Sequence, residues 1–194
     1  MRIIAGEKRG AKIVAPKGHD TRPTGDRVRE SAFNLIGPVD GASVLDLFAG
    51  SGAYGLEALS RGAASAVFAE EDAVAVYAIR ENLQKLRLAG ATVLQRDAIT
   101  VLAQEAGAGR RYDLVLLDPP YRMYSSLQDR IALYLPAVLA GDGLAVVETH
   151  AKEEPDLPLT QRTSRRYGST RLTLFELPRA SGASSGGAAP EGTV

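Results

Sequence analysis

From Ala42 to Thr149 the chain alternates short apolar runs with longer stretches whose apolar residues recur at helical spacing. The runs are "SVLDLF" (43–48), "SAVFAE" (65–70), "TVLQR" (92–96), "YDLVLLD" (112–118) and "LAVVET" (144–149). Near-continuous apolar runs belong to strands covered on both faces. Between them the spacing predicts helices over about 52–60, 73–88, 98–105 and 125–139. Strand and helix alternating in this way predict an α/β fold with a doubly wound, mostly parallel sheet and right-handed crossovers. "LTQRTSRRYGSTRLTLFEL" (159–177) has no helical spacing and reads as an antiparallel edge hairpin, completing a seven-stranded sheet.

Upstream, "RIIAG" and "AKIVA" flank the turn "EKRG", which predicts a small β-hairpin. "TRPTGDRVRESAFNLI" opens a helix: Pro23 keeps Arg22 extended, Thr24 is the expected N-cap, and Asp26 falls in the first turn. Val28, Ala32, Leu35 and Ile36 supply its apolar stripe. The expected organisation is a basic hairpin extension over residues 1–22, one α/β domain over 23–179, and a Gly/Ser/Ala-rich tail over 180–194 whose composition predicts disorder. The tail contains a G-x-S-x-G string, but not the strand–turn–helix setting or the later acid and His that a hydrolase needs.

Composition adds exclusions. No apolar run approaches the roughly 20 residues that cross a bilayer, and "MRIIAGEKRG" has too short an apolar patch for a signal peptide. With no cysteine there is no disulfide, thiolate zinc site or cysteine nucleophile. A cytoplasmic protein without membrane or metal is expected. The net charge of zero is unevenly spread: residues 1–30 carry eight Lys/Arg against four acids, and residues 161–179 five Arg against Glu176 alone. If the two segments met, they would form a basic surface suited to a polyanion.

"VLDLFAGSGAYGLEAL" holds a G-x-G-x-x-G in Gly50, Gly52 and Gly55, the usual mark of a dinucleotide site. Asp46, four residues before Gly50, fits a cationic ligand better than a pyrophosphate. Acid-x-x-x-Gly-x-Gly resembles motif I of the class I methyltransferases, whose cofactor S-adenosylmethionine carries a sulfonium and an ammonium and no phosphate. Glu70, at the end of the next strand, can accept hydrogen bonds from ribose hydroxyls of either cofactor, although one of Glu70, Glu71 and Asp72 is expected to cap the following helix. Asp97, after the third strand, stands where an acid or amide meets the adenine amine, or is a surface aspartate.

"LVLLDPPYRMY" carries the chemistry. Asp118, Pro119, Pro120 and Tyr121 follow the fourth apolar strand, at the edge where doubly wound sheets place their sites. D-P-P-Y resembles motif IV of methyltransferases that act on amines conjugated with a base or amide. Such an amine is a poor nucleophile because its lone pair is delocalised. The Asp118 carboxylate and the Pro119 carbonyl can each accept one of its N–H bonds and aim the lone pair, while Tyr121 stacks on the base.

The blocks "RIIAGEKRGAKI", "TRPTGDRVRESAFNLI", "VLDLFAGSGAYGLEALSRGA", "DPPY" and "YGSTRL" together resemble the bacterial RsmD family over residues 2 to about 177. That resemblance implies S-adenosylmethionine-dependent methylation of the N2 amine of a guanine in 16S rRNA of an assembled or nearly assembled small subunit. It implies a cofactor site of Thr24, Asp46, Ala49, Gly50, Ser51, Gly52, Glu70, Asp97 and Asp118, and catalysis by Asp118, Pro119, Pro120 and Tyr121. It implies RNA contact by Lys8, Arg9, Lys12, Arg22 and Tyr121; Arg27 and Arg29 are open between RNA contact and surface salt bridges. Departures are Gly25, where a hydroxyl or larger residue is common, and Tyr54, where Leu is common. Two alternatives stand beside it: a DNA adenine-N6 methyltransferase, which also uses D-P-P-Y but normally has a sizeable target-recognition domain, and an NAD-dependent oxidoreductase.

Overall fold

A computed structural model of the protein describes residues 1–15 and 25–179. The strands are β1 (Ser43–Leu47), β2 (Ser65–Glu70), β3 (Ala91–Gln95), β4 (Tyr112–Leu117), β5 (Leu139–His150), β6 (Thr160–Tyr167) and β7 (Thr170–Glu176). The helices are α1 (Asp26–Ile36), α2 (Ala53–Ser60), α3 (Ala73–Leu86), α4 (Ala98–Gly107) and α5 (Tyr124–Val138). One seven-stranded sheet runs in the order β3-β2-β1-β4-β5-β7-β6. The first five strands in that order are parallel, and β7 pairs antiparallel with both β5 and β6. The expected mixed sheet is therefore present.

Period-two alternation sends each strand's side chains into two cores. Val44, Phe68, Leu114, Leu116, Leu172 and Leu174 meet α1, α2 and α3, whereas Leu45, Leu47, Val115, Leu117, Val147 and Phe175 meet α4 and α5. β5 begins earlier than its apolar run, at Leu139, because residues 139–143 continue the ladder past an irregularity opposite Tyr112 and Leu114.

The N-terminal segments differ from expectation. They join at a single antiparallel bridge, Arg2–Lys12, and form no ladder. Across the bridge Ile3 and Ile13 donate their N–H to the Ala11 and Met1 carbonyls (2.9 and 3.2 Å), and Gly10 N–H donates to the Ile3 carbonyl (2.8 Å). Other polar groups go to helices: Ile4 and Ala5 donate their N–H to Glu57 (2.8 and 2.9 Å), Lys8 N–H donates to Ser60 Oγ (3.0 Å), and Val14 N–H to Asn82 Oδ1 (2.7 Å). Ile3 and Ile13 fill the α1–α2–α3 core beneath this strap.

α1 also differs. Its N-cap position belongs to Gly25, not Thr24, and no side chain caps it. Its buried stripe is Arg29, Ala32, Phe33 and Ile36, rotated from the one expected. Arg29 is neither a surface salt-bridge residue nor exposed to RNA: it is fully buried, bonded to the Arg2 carbonyl and Asp26 and 3.7 Å from Glu57. A guanidinium enters a core only with such partners.

Candidate active site

β1 leads into its loop through Phe48, a non-glycine residue at φ 61°, a strained conformation that the packing of its ring against the α4–α5 core maintains. Gly50 and Gly52 follow at φ 55° and 77°. At Gly55 a Cβ would stand 2.3 Å from Phe68 Cε1 and 3.0 Å from Asp46 Oδ2, so α2 reaches the sheet only with glycine there.

The destination of each loop N–H decides what the loop can hold. Gly50 N–H donates to Glu70 Oε2 (2.8 Å), Gly52 N–H to the Ala49 carbonyl (2.7 Å), and Gly55 N–H to Asp46 Oδ2 (2.9 Å). A dinucleotide's pyrophosphate needs donors of this kind directed at itself. Here all three are used within the protein, two of them on carboxylates. A Cβ at Gly50 would meet nothing within 4 Å, so open space lies over the loop.

That space is bordered by acids. Asp46 is 2% exposed; burial pushes its carboxyl well above the usual range, the Gly55 N–H opposes this, and the charges of Asp118 and Glu70 add to it. A bound cation relieves this arrangement and a phosphate worsens it. Glu70 Oε1 also accepts the Asp72 N–H (2.9 Å). Asp72 is the residue that caps α3, through the Ala75 N–H, and Glu71 is exposed. Asp97 caps α4, accepting the N–H and hydroxyl of Thr100 at 2.7 Å each. Asp46, Glu70 and the glycine loop thus fit S-adenosylmethionine.

Asp118 adjoins this loop, its N–H 3.5 Å from the Leu47 carbonyl at the end of β1. Pro119 is buried and Pro120 exposed; the Pro120 carbonyl accepts the Met123 N–H (2.7 Å), closing a turn that leads into α5. Tyr121, half-buried, has its hydroxyl 2.7 Å from Thr170 Oγ1 and 3.3 Å from Glu148 Oε1, and its ring lies edge-on to His150 with centroids 5.7 Å apart. Glu148, 4% exposed, accepts the Tyr54 hydroxyl on its other oxygen (3.0 Å). Burial and the Glu148 charge push the Tyr54 hydroxyl well above its usual value.

Glu148 and Thr170 were not anticipated. A signal existed for Glu148: an acid closing an apolar strand, as Asp46 and Asp118 do. Thr170 lay inside the block "YGSTRL", but only antiparallel pairing with His150 brings it to this edge. Tyr54 both packs and bonds, with its ring 6.4 Å from Phe33.

The Lys8–Arg9 turn does not share an edge with the arginines of β6. Lys8 and Arg9 sit in the turn docked at Ser60, the C-terminal end of α2, remote from the strand ends that hold Asp118. Lys8 Nζ is 2.6 Å from Glu7 Oε1, and Lys12, exposed, accepts Lys85 Nζ on its carbonyl (3.0 Å). Arg165 and Arg166, also exposed, pair with Leu172 and Arg171 near the start of β7 and so lie toward the catalytic edge. Arg22 and Thr24 lie outside the described residues, as does the tail over 180–194.

A sheet in this order, with an acid-lined glycine loop and D-P-P-Y on neighbouring strand ends, defines a class I S-adenosylmethionine-dependent methyltransferase. The family model described as Conserved hypothetical protein 95 matches residues 1–176, and the chain belongs to that family, the RsmD/YlbH methyltransferases. It is 38% identical to ribosomal RNA small subunit methyltransferase D of Haemophilus influenzae over 180 residues, covering 91% of this chain and 92% of that protein. It is also 38% identical to YlbH of Bacillus subtilis, named as a candidate rRNA methyltransferase, over 185 residues, covering 91% of this chain and 98% of the relative. A solved hypothetical protein of Thermus thermophilus superposes with a TM-score of 0.78 at 35% identity, covering 91% of this chain and 99% of that one.

Proposed function

We propose that this chain methylates the exocyclic N2 amine of a guanine in 16S rRNA of the small ribosomal subunit. The observation that carries the reading is the Asp118–Tyr121 turn beside the glycine loop, with the Tyr121 ring held at the rim. The ribosomal target is supported by the small-subunit relative, which the chain matches over nearly its full length.

S-adenosylmethionine supplies an electrophilic methyl group when bound. Asp46, Ala49, Gly50, Ser51, Gly52 and Glu70 would form its cradle, and the resemblance adds Thr24, Asp97 and Asp118 to the residues that would hold it. Asp118 and the Pro119 carbonyl accept the two N–H bonds of the target amine, which turns its lone pair toward the cradle. Both bonds strengthen as positive charge develops on nitrogen. The guanine leaves its stack at a cost of a few kcal/mol, and stacking on Tyr121 returns about 1–3 kcal/mol. The product amine is strongly acidic, so Asp118 or water takes its proton without needing raised basicity. Lys8, Arg9, Lys12 and Arg22 contact RNA in this reading, Lys8 and Arg9 at a segment distant from the target guanine.

The test is transfer of radiolabelled methyl groups to small subunits from a strain lacking the endogenous enzyme, followed by mass spectrometry of digested 16S rRNA. One N2-methylguanine is the expected product. Labelling of DNA adenine, or of protein, refutes the assignment.

A further inference from the structure

We propose that Glu148 and Thr170 are positioning residues that lock the Tyr121 ring as a fixed wall of the substrate pocket, with Tyr54 bracing Glu148 from α2. This rests on the reading of Asp118–Tyr121 as the segment that receives the base.

With Glu148 ionised, the distances favour one pattern of protons. A hydroxyl has one proton to donate, and an ionised carboxylate only accepts. Tyr54 donates to Glu148 Oε2 at 3.0 Å and Tyr121 donates to Glu148 Oε1 at 3.3 Å. Tyr121 has then spent its proton, so the 2.7 Å contact is donated by Thr170. The chain Thr170 to Tyr121 to Glu148, met by Tyr54 from the other side, uses each of these hydroxyl protons once.

Two consequences follow for the site. The Tyr121 hydroxyl has no proton left for a base edge, so the residue offers the incoming nucleobase its ring face alone. The residue is also held from several directions: Glu148 and His150 come from β5 and Thr170 from β7, while Tyr54, on the helix that begins at the glycine loop, bonds Glu148. A stacking surface that is already ordered spares the base the entropy of ordering it. One buried carboxylate thereby links the cofactor loop's helix to the substrate wall. Tyr54 adds a bond to that carboxylate which an apolar side chain cannot make.

The experiment compares Thr170→Val, Tyr54→Phe, Tyr121→Phe and the double variant Thr170→Val/Tyr121→Phe with the unaltered protein. Methyl transfer to unmodified small subunits gives kcat and KM, and calorimetry gives S-adenosylmethionine affinity. Thr170→Val and Tyr54→Phe are each expected to lower kcat ~5- to 10-fold, the effect of one hydrogen bond, with cofactor affinity within ~2-fold. Thr170→Val should cost almost nothing more in the Tyr121→Phe background, because the two act through one bond.

A second readout is independent of activity. In protein labelled with 3-fluorotyrosine, the Tyr121 fluorine resonance, assigned by its absence in Tyr121→Phe, should shift and change width in Thr170→Val. An unchanged resonance, additive losses in the double variant, or loss of cofactor affinity in proportion to kcat overturns the proposal. If the unaltered protein labels no small subunits, the functional reading fails, while the fluorine resonance still decides whether the ring is locked.

Discussion

Replacing Glu57 with alanine should cost more stability than any change on the surface. Its carboxylate accepts the N–H groups of Ile4 (2.8 Å) and Ala5 (2.9 Å) and Nε of Arg61 (2.8 Å), and lies 3.7 Å from Nε of Arg29. Glu57 and Arg29 are both fully buried. Breaking a buried ion pair from one side costs about 3–5 kcal/mol, and the low end applies because Arg29 keeps Asp26 (3.0 Å) and the Arg2 carbonyl. Orphaning two backbone donors adds about 1 kcal/mol each, unless the strap lifts away and lets water reach them. The expected total is about 5 kcal/mol, a large share of the roughly 5–15 kcal/mol that holds a domain folded. At this chain length that corresponds to a fall in Tm of about 10–20 °C. Thermal unfolding followed by circular dichroism measures it, and limited proteolysis should show faster cleavage within residues 1–14. Adding Arg29→Met should recover part of the loss, because it removes a buried guanidinium that has lost one of its two carboxylates. A Tm within about 3 °C of the unaltered protein, or strictly additive losses in the double variant, would refute this account of the buried pair.

Three further outcomes follow. Asp118→Ala should lower kcat by ~10²–10³, and full retained activity in the methyl-transfer assay overturns its role. Between the ordinary aspartate value of 3.8 and the raised value of folded Asp46, the folded chain keeps a proton that the unfolded chain has lost, so Asp46 makes stability fall as pH rises through that window. Binding a cation ionises Asp46, so S-adenosylmethionine should release a proton in that window and bind more tightly as pH rises; calorimetry in buffers of different ionisation enthalpy detects the proton, and its absence sinks the idea. Gly55→Ala sets a helix-propensity gain of about 1 kcal/mol against overpacking of about 1–3 kcal/mol. The clash should win, because Phe68, 2.3 Å from the new Cβ, is wholly buried and cannot step aside, so a raised Tm would contradict it.

Much of the fold and part of the site were legible in the chain. Apolar runs set off by helical spacing identified the parallel strands, because burial on both faces removes polar alternation. Asp46, Glu70 and Asp118 stood out because each lies at the end of such a run, and a strand's end is a position readable along the chain. The strap and the α1 stripe were misjudged for a common reason. Arg29 looks like a surface residue until Glu57, distant in sequence, stands beside it, and residues 2–14 look like a free-standing hairpin until α2 and α3 take part of their hydrogen bonds.

By itself, then, the sequence determined the alternation of elements, the acids at the strand ends and the Asp118–Tyr121 turn, all of which follow from local periodicity and from the stiffness of consecutive prolines. Only the tertiary structure decided where the loop's N–H groups point, and hence that the three glycines hold no pyrophosphate. It alone brought Tyr54 to Glu148 across 94 positions and Tyr121 to Thr170 across 49. It also set the Lys8–Arg9 turn and the arginines of β6 at different edges. Such pairings depend on how separate elements pack against one another, and periodicity within an element carries no record of its neighbours.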